Sequence, residues 1–172
     1  MIGKSTPWRI LEYFFICPTQ EIHLRELSRE VKISMPTLLL CLKKLEKESL
    51  VEIKRGKALT LVRACLENTF FIRLKRVFNL EQLYISGLVD YLKREYQTPP
   101  ALVCFGSYSR GDDTESSDID IAIIGVKEST ISLEKFEKIL HRTISLHFIS
   151  LASVSKEFHA NLANGIVLEG AL

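Results

Sequence analysis

The chain has 172 residues, 47% of them hydrophobic and 26% charged. That composition is ordinary for one medium or two small globular domains, and no run approaches the ~20 continuous apolar residues of a membrane span. The net charge of +2 is unevenly spread: residues 1–64 hold 12 Lys and Arg against 7 Asp and Glu, residues 65–98 hold 5 against 4, and residues 99–172 hold 6 against 10. A basic first part suits nucleic acid, and an acidic last part suits a metal.

The four cysteines, Cys17, Cys41, Cys65 and Cys104, lie far apart and away from any histidine at ligand spacing. This argues against zinc and for free thiols in a reducing compartment. The first residues lack a signal-peptide pattern, since Arg9 and Glu12 interrupt the apolar run after Lys4. The expected location is the cytoplasm.

In chain order, Pro7 to Ile16 reads as a helix with Ile10, Leu11, Phe14 and Phe15 on one side. Cys17-Pro18 breaks it, and Leu24 to Val31 forms a second, short helix. Ser34 and Pro36 open a third helix running to about Glu48, with Met35, Leu38, Leu42 and Leu45 inward. Its outer face is expected to carry Thr37, Leu40, Cys41, Lys43, Lys44 and Lys47. Leu50 to Ile53 and Ala58 to Val62 read as strands around a charged turn of Lys54, Arg55, Gly56 and Lys57.

Three helices and a basic hairpin resemble a winged helix-turn-helix over roughly Ser5 to Arg63. The resemblance implies that the third helix enters a DNA groove and the hairpin flanks it. Thr37, Lys43, Lys44, Lys47, Lys54, Arg55 and Lys57 are the candidate nucleic-acid contacts. They suit phosphates better than base edges, so a docking or dimerisation module stands as the other reading of residues 1–64.

Leu66 to Tyr96 reads as a long helical connector, residues 65–98, in which Asn79 and Gly87 are the weak points. Its stripe of Phe70, Phe71, Leu74, Val77 and Phe78 is core or a dimer seam. From residue 99 the pattern alternates: a strand over Ala101–Phe105, a turn or helix over Ser107–Gly111 and a polar loop. A strand over Asp118–Ile124, a helix over Leu133–Arg142, a strand over Ile144–Ile149 and a helix over Ser155–Leu162 follow. This is an α/β (α+β) unit with a small mixed sheet.

The chemistry concentrates between Gly106 and Asp120. Asp118 and Asp120 stand two apart in a strand pattern, so both face one side. Two hard oxygen ligands on one rigid face suit Mg²⁺ carrying a nucleoside triphosphate, and a Gly-Ser turn suits phosphates. Gly106, Ser107, Arg110, Gly111, Asp118 and Asp120 together resemble the motif of the minimal nucleotidyltransferases of the DNA polymerase beta superfamily, over roughly residues 101–172.

The resemblance implies nucleotidyl transfer from a nucleoside triphosphate, ATP for preference, to a protein or nucleic-acid hydroxyl. It implies that Asp118 and Asp120 bind the metal and act catalytically, while Gly106, Ser107, Arg110 and Gly111 bind nucleotide. Arg110 could hold phosphate or pin the aspartate loop by an ion pair. Small antitoxins of this superfamily modify a helical protein partner.

The superfamily normally adds a third carboxylate on the next strand, and here Ser145 takes that place. His147, two residues on, could serve as a base, although a satisfied polar group is the commoner role for such a histidine. Asp112, Asp113 and Glu115 read as solvated loop charges. The alternative function is a DNA-binding regulator whose nucleotidyltransferase-like part senses nucleotide, or dimerises, without turnover.

Overall fold

A computed structural model of the chain describes residues 5–56, 59–150 and 156–171. They divide into two compact units, one up to Leu74 and one from Lys75 onward.

The first unit begins with α1 (Thr6–Ile16), which has Pro7 in its opening turn and buries Ile10, Leu11, Phe14 and Phe15. Two helices follow, α2 (Leu24–Glu30) and α3 (Met35–Lys47). Ser34 stands at the start of α3, but its hydroxyl meets that of Thr37 at 2.9 Å and caps no backbone amide. α3 buries Leu38, Cys41, Leu42 and Leu45. Cys41 therefore belongs to the core and not to the outer face expected for it; its position three after Leu38 puts it on the inward stripe.

Strands β1 (Ile22–His23), β2 (Val51–Arg55) and β3 (Thr60–Ala64) form an antiparallel sheet in the order β1-β3-β2. The two-residue β1 is too short to show any alternation, which is why sequence reading passes over it. The hairpin strands run two residues further on than expected. The Gly56 amide closes the turn on the Leu59 carbonyl at 2.9 Å, which places Lys54 and Arg55 inside β2. Lys57 and Ala58 lie outside the described residues.

α4 (Thr69–Ile85) begins in the first unit and continues into the second, where α5 (Leu88–Glu95) follows it. The helical stretch breaks at Gly87, whose φ of +77° only glycine adopts at little cost, and not at Asn79. Of the stripe expected along α4, Phe71 and Phe78 are buried, while Phe70 and Val77 are exposed.

The second unit is built on a four-stranded sheet of β4 (Ala101–Phe105), β5 (Ile119–Ile124), β6 (Ile144–Ile149) and β7 (Ile166–Gly170). The order is β6-β5-β4-β7. β5 and β6 are parallel and the other pairs antiparallel, so the sheet is mixed, as the sequence pattern suggests. Helices α6 (Gly106–Arg110), α7 (Glu134–Leu140) and α8 (Lys156–Ala163) connect the strands.

Apolar side chains cover both faces, which is why β4 is buried along its whole length. Leu102, Cys104, Ile119, Ile121 and Ile123 pack with Leu88, Val89 and Leu92 of α5 and Phe136 and Leu140 of α7. Ala101, Val103, Phe105, Ala122 and Ile124 pack with Leu162 of α8. Strand alternation puts Asp120 on this second face, next to Phe105 and Ala122.

Candidate functional site

The site assembles where β4 ends and β5 begins. Phe105, the last residue of β4, pairs with Asp120 of β5. Gly106 then turns the chain into α6 with φ of +73°, and a Cβ built there would stand 2.6 Å from Asp120 Oδ2. The backbone of this turn thus lies directly against the Asp120 carboxylate, and both its conformation and its closeness require glycine. Ser107 follows; its carbonyl accepts the amides of Gly111 at 2.9 Å and Asp112 at 3.3 Å, closing the short helix. Gly111 leaves that helix with φ of +83°.

Asp118 sits one residue before β5 and is exposed, while Asp120, within β5, is partly covered. In the parallel ladder Asp120 stands opposite Ser145, and Ser145 Oγ donates to Asp118 Oδ2 at 3.3 Å. His147 Nε2 lies 3.0 Å from Asp120 Oδ1, and its ring stands edge-on to Phe105 at 5.0 Å between centroids. Gly106, Ser107, Asp118, Asp120, Ser145 and His147 therefore gather at one end of the sheet. Arg110 is exposed and pairs with Asp112, Nε to Oδ2 at 3.1 Å, so its ion pair goes neither to Asp118 nor to Asp120.

Asp113 departs from its expected role as a solvated loop charge: it is buried. Its Oδ1 takes hydrogen bonds from Lys75 and, at 2.7 Å, from Asn79, both on α4; Arg142 reaches Oδ2 at 3.3 Å, and Lys75 also donates to the Asp113 carbonyl at 2.9 Å. Asn79 donates besides to the Tyr108 carbonyl in α6 at 2.9 Å. One turn of α4 thus ties down both the helix after the Gly-Ser turn and the loop leading to Asp118. Burial pulls the Lys75 ammonium below its ordinary value, opposed by the pull of Asp113. The signal available in the sequence was Lys75 and Asn79 four apart inside an apolar helix, on one face.

Asp118 and Asp120 bring two carboxylates to this end of the sheet, oxygen donors of the type that a hard divalent cation takes. Among the described residues no group of three or more His, Cys, Asp or Glu is arranged around a common metal position. Two carboxylates suffice for Mg²⁺ when nucleotide phosphates and water complete its shell. The four cysteines are free thiols. Burial pushes the Cys104 thiol up to about 12.

In the first unit, Thr37, Lys43, Lys44 and Lys47 are exposed on α3, together with Leu39 and Leu40. Lys54 is paired with Glu21, and Arg55 with Glu46 at 3.0 Å. The hydrogen bond from Lys54 holds the Glu21 carboxyl below its ordinary value. Lys43, Lys44 and Lys47 make no ion pair among the described residues. Among those residues, too, no helix is long and apolar enough to cross a membrane.

Residues 85–162 match the nucleotidyltransferase domain family. The matched stretch contains the whole Gly106–Asp120 segment together with Ser145 and His147. A curated protein of Methanocaldococcus jannaschii, named "putative protein adenylyltransferase", is 33% identical over 97 residues, which is 51% of this chain and 97% of that protein. The chain belongs to the nucleotidyltransferase domain family, and nucleotidyl transfer is the activity that family and relative support.

Proposed function

We propose that the chain transfers a nucleotidyl group, adenylyl from ATP, to a hydroxyl of a protein acceptor. The observation that carries this is the approach of the Gly106 turn to the Asp120 carboxylate, which sets a glycine-serine backbone turn beside two carboxylates at a sheet end. The protein acceptor follows the name of the Methanocaldococcus relative.

Asp118 and Asp120 would hold Mg²⁺, which supplies charge neutralisation at the phosphates when bound. Gly106 lets the triphosphate come close, and Ser107 offers its amide and hydroxyl to it. The acceptor oxygen forms a bond to the α-phosphorus, the bond from that phosphorus to the bridging oxygen breaks, and pyrophosphate leaves. The hydroxyl proton passes to water at the open Asp118 side.

Incubation with α-labelled ATP, Mg²⁺ and lysate proteins tests the reading. Label is expected on protein, and Asp118→Ala with Asp120→Ala should abolish it; label surviving the double change would assign the activity elsewhere. A second reading is favoured by Ser145, which stands opposite Asp120 where the resemblance calls for an acid. In that reading the unit binds nucleotide without turnover. Titration calorimetry then shows ATP binding that needs both aspartates, while no label moves.

For the first unit we propose a winged helix that recruits the protein to nucleic acid through α3. With Lys54 and Arg55 already paired and Lys57 outside the described residues, Lys43, Lys44 and Lys47 are the candidate cations that α3 offers to phosphates. A salt series on duplex DNA should show affinity falling with salt, and Lys43→Ala with Lys44→Ala should lower the log–log slope by about 2. An unchanged slope would remove α3 from the interface.

A further inference from the structure

The site spans three of the four strands, with the Gly-Ser turn after β4, the aspartates at β5, and Ser145 and His147 on β6. Beyond β6 the sheet has no further strand among the described residues. The Ile119 amide bonds to the Thr143 carbonyl at 2.8 Å, and the Gly125 amide to the Ile149 carbonyl at 2.9 Å. Alternation in a parallel ladder then turns the backbone groups of Ser145 and His147 toward β5 and those of Leu146 and Phe148 outward. The outward amide of Ile144 is taken by Glu137 Oε1 at 3.0 Å, whereas the outward groups of Leu146 and Phe148 have no hydrogen-bond partner among the described residues.

The two edges of the sheet differ. β7 carries Glu169, ends at Gly170 and pairs with β4 through a register shift, features that discourage further pairing. β6, Ile-Ser-Leu-His-Phe-Ile, has no Lys, Pro, Gly or bulge and pairs with β5 in continuous register over six residues. Among the described residues it is an unguarded template lying against the Asp118–Asp120 end of the sheet.

We propose that the outer edge of β6 is the acceptor dock: the protein acceptor presents its hydroxyl on an extended segment that adds to β6 as a fifth strand. This rests on the protein-acceptor reading above. The Gly-Ser turn occupies the β4 flank of the aspartates, so the β6 flank is the side left for the acceptor. Alternating outward amides and carbonyls select an extended polypeptide as the occupant, because backbone pairing is what they can satisfy. Every second side chain of the added strand would lie on the face of Ser145 and His147, pointing along the aspartate end.

The test is amide exchange on the full chain by NMR, with no nucleotide present. The probe is a ten-residue peptide of alternating Thr and Val at millimolar concentration. Exchange at the Leu146 and Phe148 amides should slow by about tenfold, with Ser145 and His147 amides, already in the ladder, unchanged. The same peptide N-methylated at alternate residues should have no effect. Unchanged exchange at Leu146 and Phe148, or equal protection by the methylated peptide, overturns the proposal. Protection that rises with protein concentration in the absence of peptide also overturns it, assigning the edge to a second copy. Because no nucleotide takes part, failure here leaves the label-transfer result standing on its own, and the reverse also holds.

Discussion

Gly106 and Asp113 show how differently a single residue can announce itself. Gly106 was legible as a turn: a glycine before serine, between an apolar strand and a polar loop, reads as a place where a phosphate can approach, and its contact with a side chain of β5 was not legible. The structure sets the Asp120 carboxylate against that turn. Gly106→Ala combines a left-handed φ, costing about 1–2 kcal/mol for a residue with a Cβ, with a contact at 2.6 Å. Urea unfolding should record that modest loss, while calorimetry should record at least a tenfold fall in nucleotide affinity as Asp120 is pushed aside. Equal affinity with lowered stability would detach the turn from the nucleotide. Asp113 was illegible, because nothing in Gly-Asp-Asp-Thr-Glu tells which acid is buried. That choice is made by residues 29 to 38 positions away, Arg142 and Lys75.

At the scale of elements, strong apolar periods gave α1, α3, β4 and β5, and weak or short signals misled. β1 has two residues and β7 five, and β7 follows a helix without a clear turn signature beyond Asn164-Gly165. The break between α4 and α5 falls at Gly87, where the backbone demands it, while Asn79 stays helical because its amide is satisfied by Tyr108 and Asp113. The loop before β5 depends on that packing. Asp113→Ala would leave Lys75 and Arg142 buried without their shared carboxylate. Breaking a buried ion pair costs about 3–5 kcal/mol, which a urea titration would register directly. A loss below 1 kcal/mol would mean that the cluster relaxes toward water and holds the loop only weakly.

For the molecule as a whole, the charge asymmetry read from composition understates local pairing. Lys54 and Arg55, two of the hairpin's cations, are matched to Glu21 and Glu46, so net charge overcounts what a polyanion would meet. The buried thiol of Cys104 sets a global response to alkali. Its folded value, about 12, exceeds the ordinary 9.0, and burial raises Tyr108 as well. The unfolded chain therefore loses the Cys104 proton first, and stability that is complete below pH 9 is lost as pH rises toward 12. Lys75, shifted the other way, opposes this in part below its ordinary 10.5. Urea midpoints should fall above pH 10.5, where Lys75 no longer offsets the loss, and Cys104→Ala should remove about 1.4 kcal/mol per pH unit of that slope. A slope indifferent to Cys104 would place the alkaline transition elsewhere.

The strand order β6-β5-β4-β7 has a temporal consequence. β4 meets β5 after a connection of 13 residues, but its other neighbour arrives some 60 residues later. Closing so long a loop is slow compared with pairing close neighbours. The β4–β5 pair, with the Gly106 turn and Asp120 already face to face, can thus form while the far side of β4 is still bare. The Gly106–Asp120 end of the sheet would take shape early in folding, and the sheet would be completed around it afterwards.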